Sequence, residues 1–145
     1  MQEDEGRYKI RSLFAIFTGD YNEGLFIPIL ESDVVGYLYH IWISQFGMPE
    51  IVHIDTRLCA SPNQKFDFVI GQVSINESRP CIREPELVIE VKAFPTGMSG
   101  PQHRVRWKHV VEGDIPKLAR LKTPLENRYL LLFDEADYLK RPYRS

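Results

Sequence analysis

The chain has only two cysteines in 145 residues, with neither a Cys-x-x-Cys pair nor histidines at zinc-type spacing. Cys59 and Cys81 are therefore expected to be reduced, partly buried thiols, and a disulfide between them is left open. No run of eighteen uncharged apolar residues occurs. The N-terminus, MQEDEGRYKIR, carries acidic residues where a secretory signal would be positive. We expect a cytoplasmic protein with no membrane association.

An excess of positive charge is also missing, because the formal net charge is −2. This value disfavours a protein that coats nucleic acid, which needs clustered lysine and arginine. The charge is nevertheless uneven: residues 104–122 hold six basic side chains against two acids. The segment predicts either a track for a phosphate backbone or a solvated helical face. The residues expected to contact nucleic acid are Arg104, Arg106, Lys108 and Lys117.

The chain has no phosphate-binding loop of the pattern Gly-x-x-x-x-Gly-Lys-Ser/Thr. The stretch RYLLLFDEAD at 128–137 looks like the strand that handles magnesium beside ATP. Without the loop, that likeness does not support an ATPase. Asp134, Glu135 and Asp137 are interpreted as solvating the end of the last strand.

What is present fits one α/β domain over residues 1–145, with 43% hydrophobic and 26% charged residues. The strongest helical pattern lies within 27–47, capped by Ser32 or starting at Pro28, and it places Glu31 on the core-facing stripe. The predicted order is α-β-β-β-α-β, with a mixed central sheet of about four strands flanked by helices. The predicted strands are 50–58, 65–71, 86–94 and 128–134, with a hairpin between the first two and helices at 103–113 and 114–122 before the last.

Three charged side chains lie in two of these strands. Glu90 and Lys92 point to the same side of an otherwise apolar strand, and Asp67 lies in a strand that can pair with it. Unpaired charges there would each cost several kcal/mol, on the order given for buried ions, so something must compensate them. Two carboxylates beside an ammonium suit a divalent metal that places a water against a phosphate. The alternative is a structural salt bridge.

Asp67, the apolar strand after it and the triplet Glu90-Val91-Lys92 resemble the PD-(D/E)XK nucleases, which have the restriction-endonuclease-like fold. The resemblance extends from Glu31 to about residue 134, because the order of elements matches as well. It implies that Asp67 and Glu90 ligate Mg²⁺, that Val91 offers its carbonyl, and that Lys92 positions the attacking water.

Many members of this family add a glutamate from the first helix, for which Glu31 is the candidate and Asp33 the second. The chain departs from the family pattern in two respects. Phe66 stands where the motif has proline, and Asp67 and Glu90 are 23 residues apart.

The expected function is metal-dependent hydrolysis of DNA phosphodiester bonds, endo- or exonucleolytic, with Mg²⁺ as cofactor and Mn²⁺ as a substitute. The expected partners are DNA and either a second copy of the chain or a larger nuclease complex. A catalytically silent module with a nuclease fold, which binds nucleic acid or a protein, is the alternative.

Overall fold

The computed structural model describes residues 3–75, 78–94 and 97–134, without the side chains of residues 3, 4 and 125. The helices are α1 (Glu3–Asn22), α2 (Glu31–Phe46), α3 (Gly100–His109) and α4 (Ile115–Ala119), with a π-helical turn at Val110–Asp114 and 3₁₀ turns at Pro49–Ile51 and Leu125–Asn127. The strands are β1 (Val52–Leu58), β2 (Ser61–Ile70), β3 (Val73–Ser74), β4 (Cys81–Ile82), β5 (Leu87–Phe94) and β6 (Arg128–Asp134).

Helix α2 occupies most of the predicted helical segment. It begins at Glu31, so Ser32 lies inside its first turn and Pro28 precedes it. Asp33 Oδ2 accepts the backbone N–H groups of Ile29 at 2.8 Å and Leu30 at 3.0 Å, which ties down the chain entering the helix. The expected cap at Ser32 is therefore wrong, and Asp33 serves the helix start.

Six strands form one mixed sheet in the described part of the chain, in the order β3-β4-β1-β2-β5-β6. The predicted hairpin is β1 and β2, which pair antiparallel, and β5 and β6 pair parallel. The α/β class is confirmed, whereas the count of about four strands is wrong. The extra strands β3 and β4 lie in 72–85 and have two residues each, too short for an alternating pattern to indicate them.

Side chains on the two faces of the sheet form separate cores. Helices α1 and α2 cover one face through residues that include Leu13, Leu38 and Trp42. On the other face, Leu118 of α4 packs with Phe66 and neighbouring strand residues. No helix among the described residues is both long and apolar enough to cross a membrane.

Cys59 and Cys81 form a disulfide, with their Cα atoms 5.1 Å apart, so the expectation of reduced thiols is wrong. The reason is the pairing of β1 with β4, in which Leu58 lies opposite Ile82 and the Cys59 amide donates to the Ile82 carbonyl at 2.9 Å. This pairing could not be foreseen without β4.

Candidate functional site

Strands β2 and β5 pair where residues 68–70 meet 87–89, and the pairing ends just before Asp67 and Glu90. Beyond this point, the side chains of Asp67 and Glu90 accept hydrogen bonds from the backbone of the opposite strand. The Asp67 amide donates to Glu90 Oε1 at 2.9 Å, and the Val91 amide donates to Asp67 Oδ2 at 2.7 Å. The two carboxylates therefore lie together between diverging strands, as the sequence predicts.

Burial governs the ionisation of this acid pair. Glu90 is only 5% exposed, and burial, followed by the nearby Asp67 carboxylate, raises the pKa of Glu90 to about 7. Burial also raises the pKa of Asp67, against the lowering effect of the Val91 amide. Near neutral pH, Glu90 can therefore take up or release a proton, and the pair gains stability from added positive charge.

Lys117, from α4, forms an ion pair with Glu90. Its Nζ lies 3.1 Å from Glu90 Oε2, donates to the Lys65 carbonyl and lies 4.3 Å from the centre of the Phe66 ring. Lys117 was expected to contact nucleic acid from a basic helix. The structure instead places its ammonium at the acid pair.

Lys92 emerges from the same side of β5 as Glu90, but its ion-pair partner is Asp114. Lys92 Nζ lies 3.3 Å from Asp114 Oδ2, and the two side chains are 17% and 18% exposed. Asp114 precedes α4 but has helical dihedral angles and makes no side-chain capping bond. It ends the π-helical turn that joins α3 to α4, a local widening that sequence spacing does not indicate.

Glu31 reaches the site from the start of α2. Its Oε1 accepts the Ala93 amide at 3.0 Å and pairs with the Arg106 guanidinium, which also donates to the Ala93 carbonyl. Burial is the main cause of the raised pKa of Asp67, and the charges of Glu31 and Asp114 raise it further. Arg106, expected on a nucleic-acid track, faces Glu31, whereas Arg104 and Lys108 are exposed on α3.

The donor chemistry of the site fits Mg²⁺, which prefers carboxylate oxygens and retains several waters. The positions of these side chains are less favourable for a metal ion. Among the described residues, no three His, Cys, Asp or Glu side chains are grouped so that they could hold a metal ion. Lys117 and Arg106 already neutralise Glu90 and Glu31, so the acids are held by the protein's own cations.

No protein-family model matches the chain, and no curated protein or solved structure matches it either. The structure defines an α/β protein with a mixed sheet and an acid pair between two of its strands, in which Glu90 is buried and Asp67 half-buried. Any function must therefore be inferred from the site itself.

Proposed function

We propose that this chain is a metal-dependent nuclease that hydrolyses DNA phosphodiester bonds on a restriction-endonuclease-like core. The observation that carries the proposal is the position of Asp67 and Glu90, whose carboxylates lie together where β2 and β5 separate. Apart from α1 and the two-residue strands β3 and β4, the order α2, β1, β2, β5, α3 and α4, β6 also follows the arrangement that the sequence resemblance implies. Neither support depends on the other, because one is side-chain geometry and the other is connectivity.

Asp67 and Glu90 would hold Mg²⁺ or Mn²⁺, with the Val91 carbonyl and Glu31 as the further ligands. The ion would lower the pKa of a bound water and neutralise charge on the phosphate. Water oxygen forms the new bond to phosphorus, the ester bond breaks, and the leaving oxygen takes a proton. Lys92 would orient the water or donate to a phosphate oxygen, as its position beside the acid pair on β5 suggests.

Lys117 and Arg106 give the proposal a specific requirement. Each neutralises a carboxylate that would serve as a ligand, Glu90 in one case and Glu31 in the other. Both side chains would have to release their acids, and each could then turn to the phosphate. Arg104 and Lys108, exposed on α3, are the proposed outer contacts to DNA.

A second copy of the chain, or a larger nuclease complex, would let a domain of this size cut both strands of a duplex. A cytoplasmic location is part of the same proposal. The Cys59–Cys81 disulfide counts against it, because such bonds persist mainly in oxidising compartments.

The test is incubation of the purified protein with plasmid, single-stranded and branched DNA in Mg²⁺, Mn²⁺ or EDTA. We expect cleavage that requires metal and that is lost in Asp67→Asn and Glu90→Gln. Glu50→Gln, which changes an exposed acid before β1, is the control and should cleave normally. Absence of metal-dependent cleavage, or full activity in both site variants, would refute the proposal.

The second candidate is a silent module that keeps the nuclease fold and binds nucleic acid or a protein. The pairing of Glu90 with Lys117, Asp114 with Lys92 and Glu31 with Arg106 favours it, since such pairs stabilise a site without any metal. Calorimetry with Mg²⁺ separates the candidates. A nuclease should bind the ion through Glu90, whereas the silent module should give no heat while still binding its partner.

A further inference from the structure

Two cavities flank the Cys59–Cys81 disulfide, outside the acid site. The larger, of 760 Å³, lies between the end of the β1–β2 hairpin, residues 83–85 and the segment after α4. The smaller, of 370 Å³, lies between the hairpin and residues 78–81. Cys59 lines both, so the two cavities are halves of one surface, which we call the disulfide groove.

The charged residues that line the disulfide groove are mostly positive. Arg83, Arg120 and Lys122 line the larger cavity against one acid, Glu84. Arg57 and Arg79 line the smaller cavity, and none of its lining residues in the described part of the chain is acidic. Among the described lining residues, five cations against one acid, on a chain with net charge −2, mark a surface suited to an anion.

Uncharged hydrogen-bond donors accompany the cations. Ser61 and Thr123 line the larger cavity, and Asn63 and Ser78 line the smaller. Hydroxyl and amide groups beside arginine and lysine are the usual contacts to phosphate oxygens. The donors come from three separate parts of the chain, so they suit an extended polyanion better than one small ion.

The disulfide groove is connected to the acid site through neighbouring residues. Lys117 lies on α4, and Arg120, three residues later, is the C-cap of that helix. Arg57 lies opposite Lys65 in the β1–β2 pairing, and the Lys65 carbonyl accepts the Lys117 ammonium. Asp55 lies beside this path, with its Oδ2 3.6 Å from Lys65 Nζ.

We propose that the disulfide groove binds the sugar-phosphate backbone of a DNA strand next to the phosphate at the acid pair. This inference rests on the proposed nuclease function and gives it a binding surface that differs from the basic face of α3. Cys59 lines both cavities, and its disulfide bond to Cys81 keeps the segment that carries Arg79 and Arg83 beside the hairpin.

Binding is tested apart from chemistry, in EDTA, by fluorescence anisotropy with labelled single-stranded and duplex DNA of about 20 nucleotides. Two double variants remove the groove charges: Arg120→Ala with Lys122→Ala, and Arg57→Ala with Arg79→Ala. Arg7→Ala with Arg11→Ala is the matched control, because α1 covers the opposite face of the sheet from α4. Circular dichroism of each variant confirms folding.

We expect each groove variant to bind DNA at least about tenfold more weakly and to lower the slope of log affinity against log salt by about 2, with the control unchanged. Unchanged affinity in both groove variants, equal losses in the control, or equally tight binding of polyglutamate would overturn the inference. Cleavage is measured separately in Mg²⁺. Groove-dependent binding without cleavage would refute the nuclease proposal alone, and cleavage with groove-independent binding would refute the groove alone.

Discussion

Glu90 accepts a hydrogen bond from the amide of Asp67, while Asp67 accepts one from the amide of Val91, so each carboxylate binds the opposite strand. The bonds continue the contact between β2 and β5 beyond the end of their backbone pairing. An acid at either position therefore joins the two strands as well as contributing charge.

Stability should depend on pH through Glu90. Folding raises its pKa from 4.5 to about 7, so the folded state favours the protonated acid. The contribution of Glu90 to the free energy of unfolding is fully present below pH 4.5 and declines as pH rises to about 7, by roughly 3 kcal/mol.

Glu90→Gln is the variant that tests this, because it keeps an acceptor for the Asp67 amide. Urea unfolding between pH 4 and 8 should show Glu90→Gln gaining on the wild type as pH rises. A constant difference across that range would contradict the raised pKa.

Removing Lys117 should make Glu90 still harder to ionise. The Lys117 ammonium lowers the pKa of Glu90, so Lys117→Met should move that pKa above 7. Carbon-13 NMR titration of glutamate side-chain carboxyls measures it directly. Lys122→Met, at an exposed position, is the control and should leave the Glu90 titration in place.

The disulfide should stabilise the fold. Cys59 and Cys81 are 22 residues apart, and closing a loop of that size contributes about 3 kcal/mol in the chain-entropy model. Replacing both cysteines with serine, or reducing the wild type, should lower the free energy of unfolding by about this amount. Alkylation of unreduced, unfolded protein gives a separate check, since no thiol should react at Cys59 or Cys81.

Lys92 and Asp114 should be energetically coupled. Both side chains are largely buried, so Lys92→Met or Asp114→Asn alone leaves one charge without its partner and should cost roughly 2 to 3 kcal/mol. The double variant should lose less than the sum of the two. Strict additivity in urea unfolding would show that the pair does not interact.

Sequence patterns predict most of the larger elements, but α1 lies outside the predicted order α-β-β-β-α-β. The apolar spacing around Leu38 and Trp42 predicts α2, because a buried stripe must recur every three to four residues. The near-continuous apolar run in β5 likewise predicts a central strand, and its interruption by Glu90 and Lys92 indicates the site. Asp67 is then predicted to belong to the same site, because the strand that contains it lies beside β5.

The features that the sequence did not predict depend on contacts between segments that are distant in the chain. Strand β4 has two residues, so neither it nor the disulfide at Cys81 has a periodic signal. The partners of the site lysines were also missed. The π-helical turn sets the positions of Asp114 and Lys117, and nothing in local spacing distinguishes that turn from a regular helix.

The hydrogen bonds from the amides of Asp67 and Val91 have a consequence for how loss of activity is interpreted. A side chain that joins two strands and would also carry the proposed chemistry cannot be shortened without changing local backbone geometry. Alanine at 67 or 90 would remove the hydrogen-bond acceptor and the charge at once. Loss of activity in such a variant could then come from either change. Asparagine or glutamine preserves an acceptor oxygen. Comparing the amide variant with the alanine variant at the same position therefore separates the effect of the lost hydrogen bond between the strands from the effect of the lost charge.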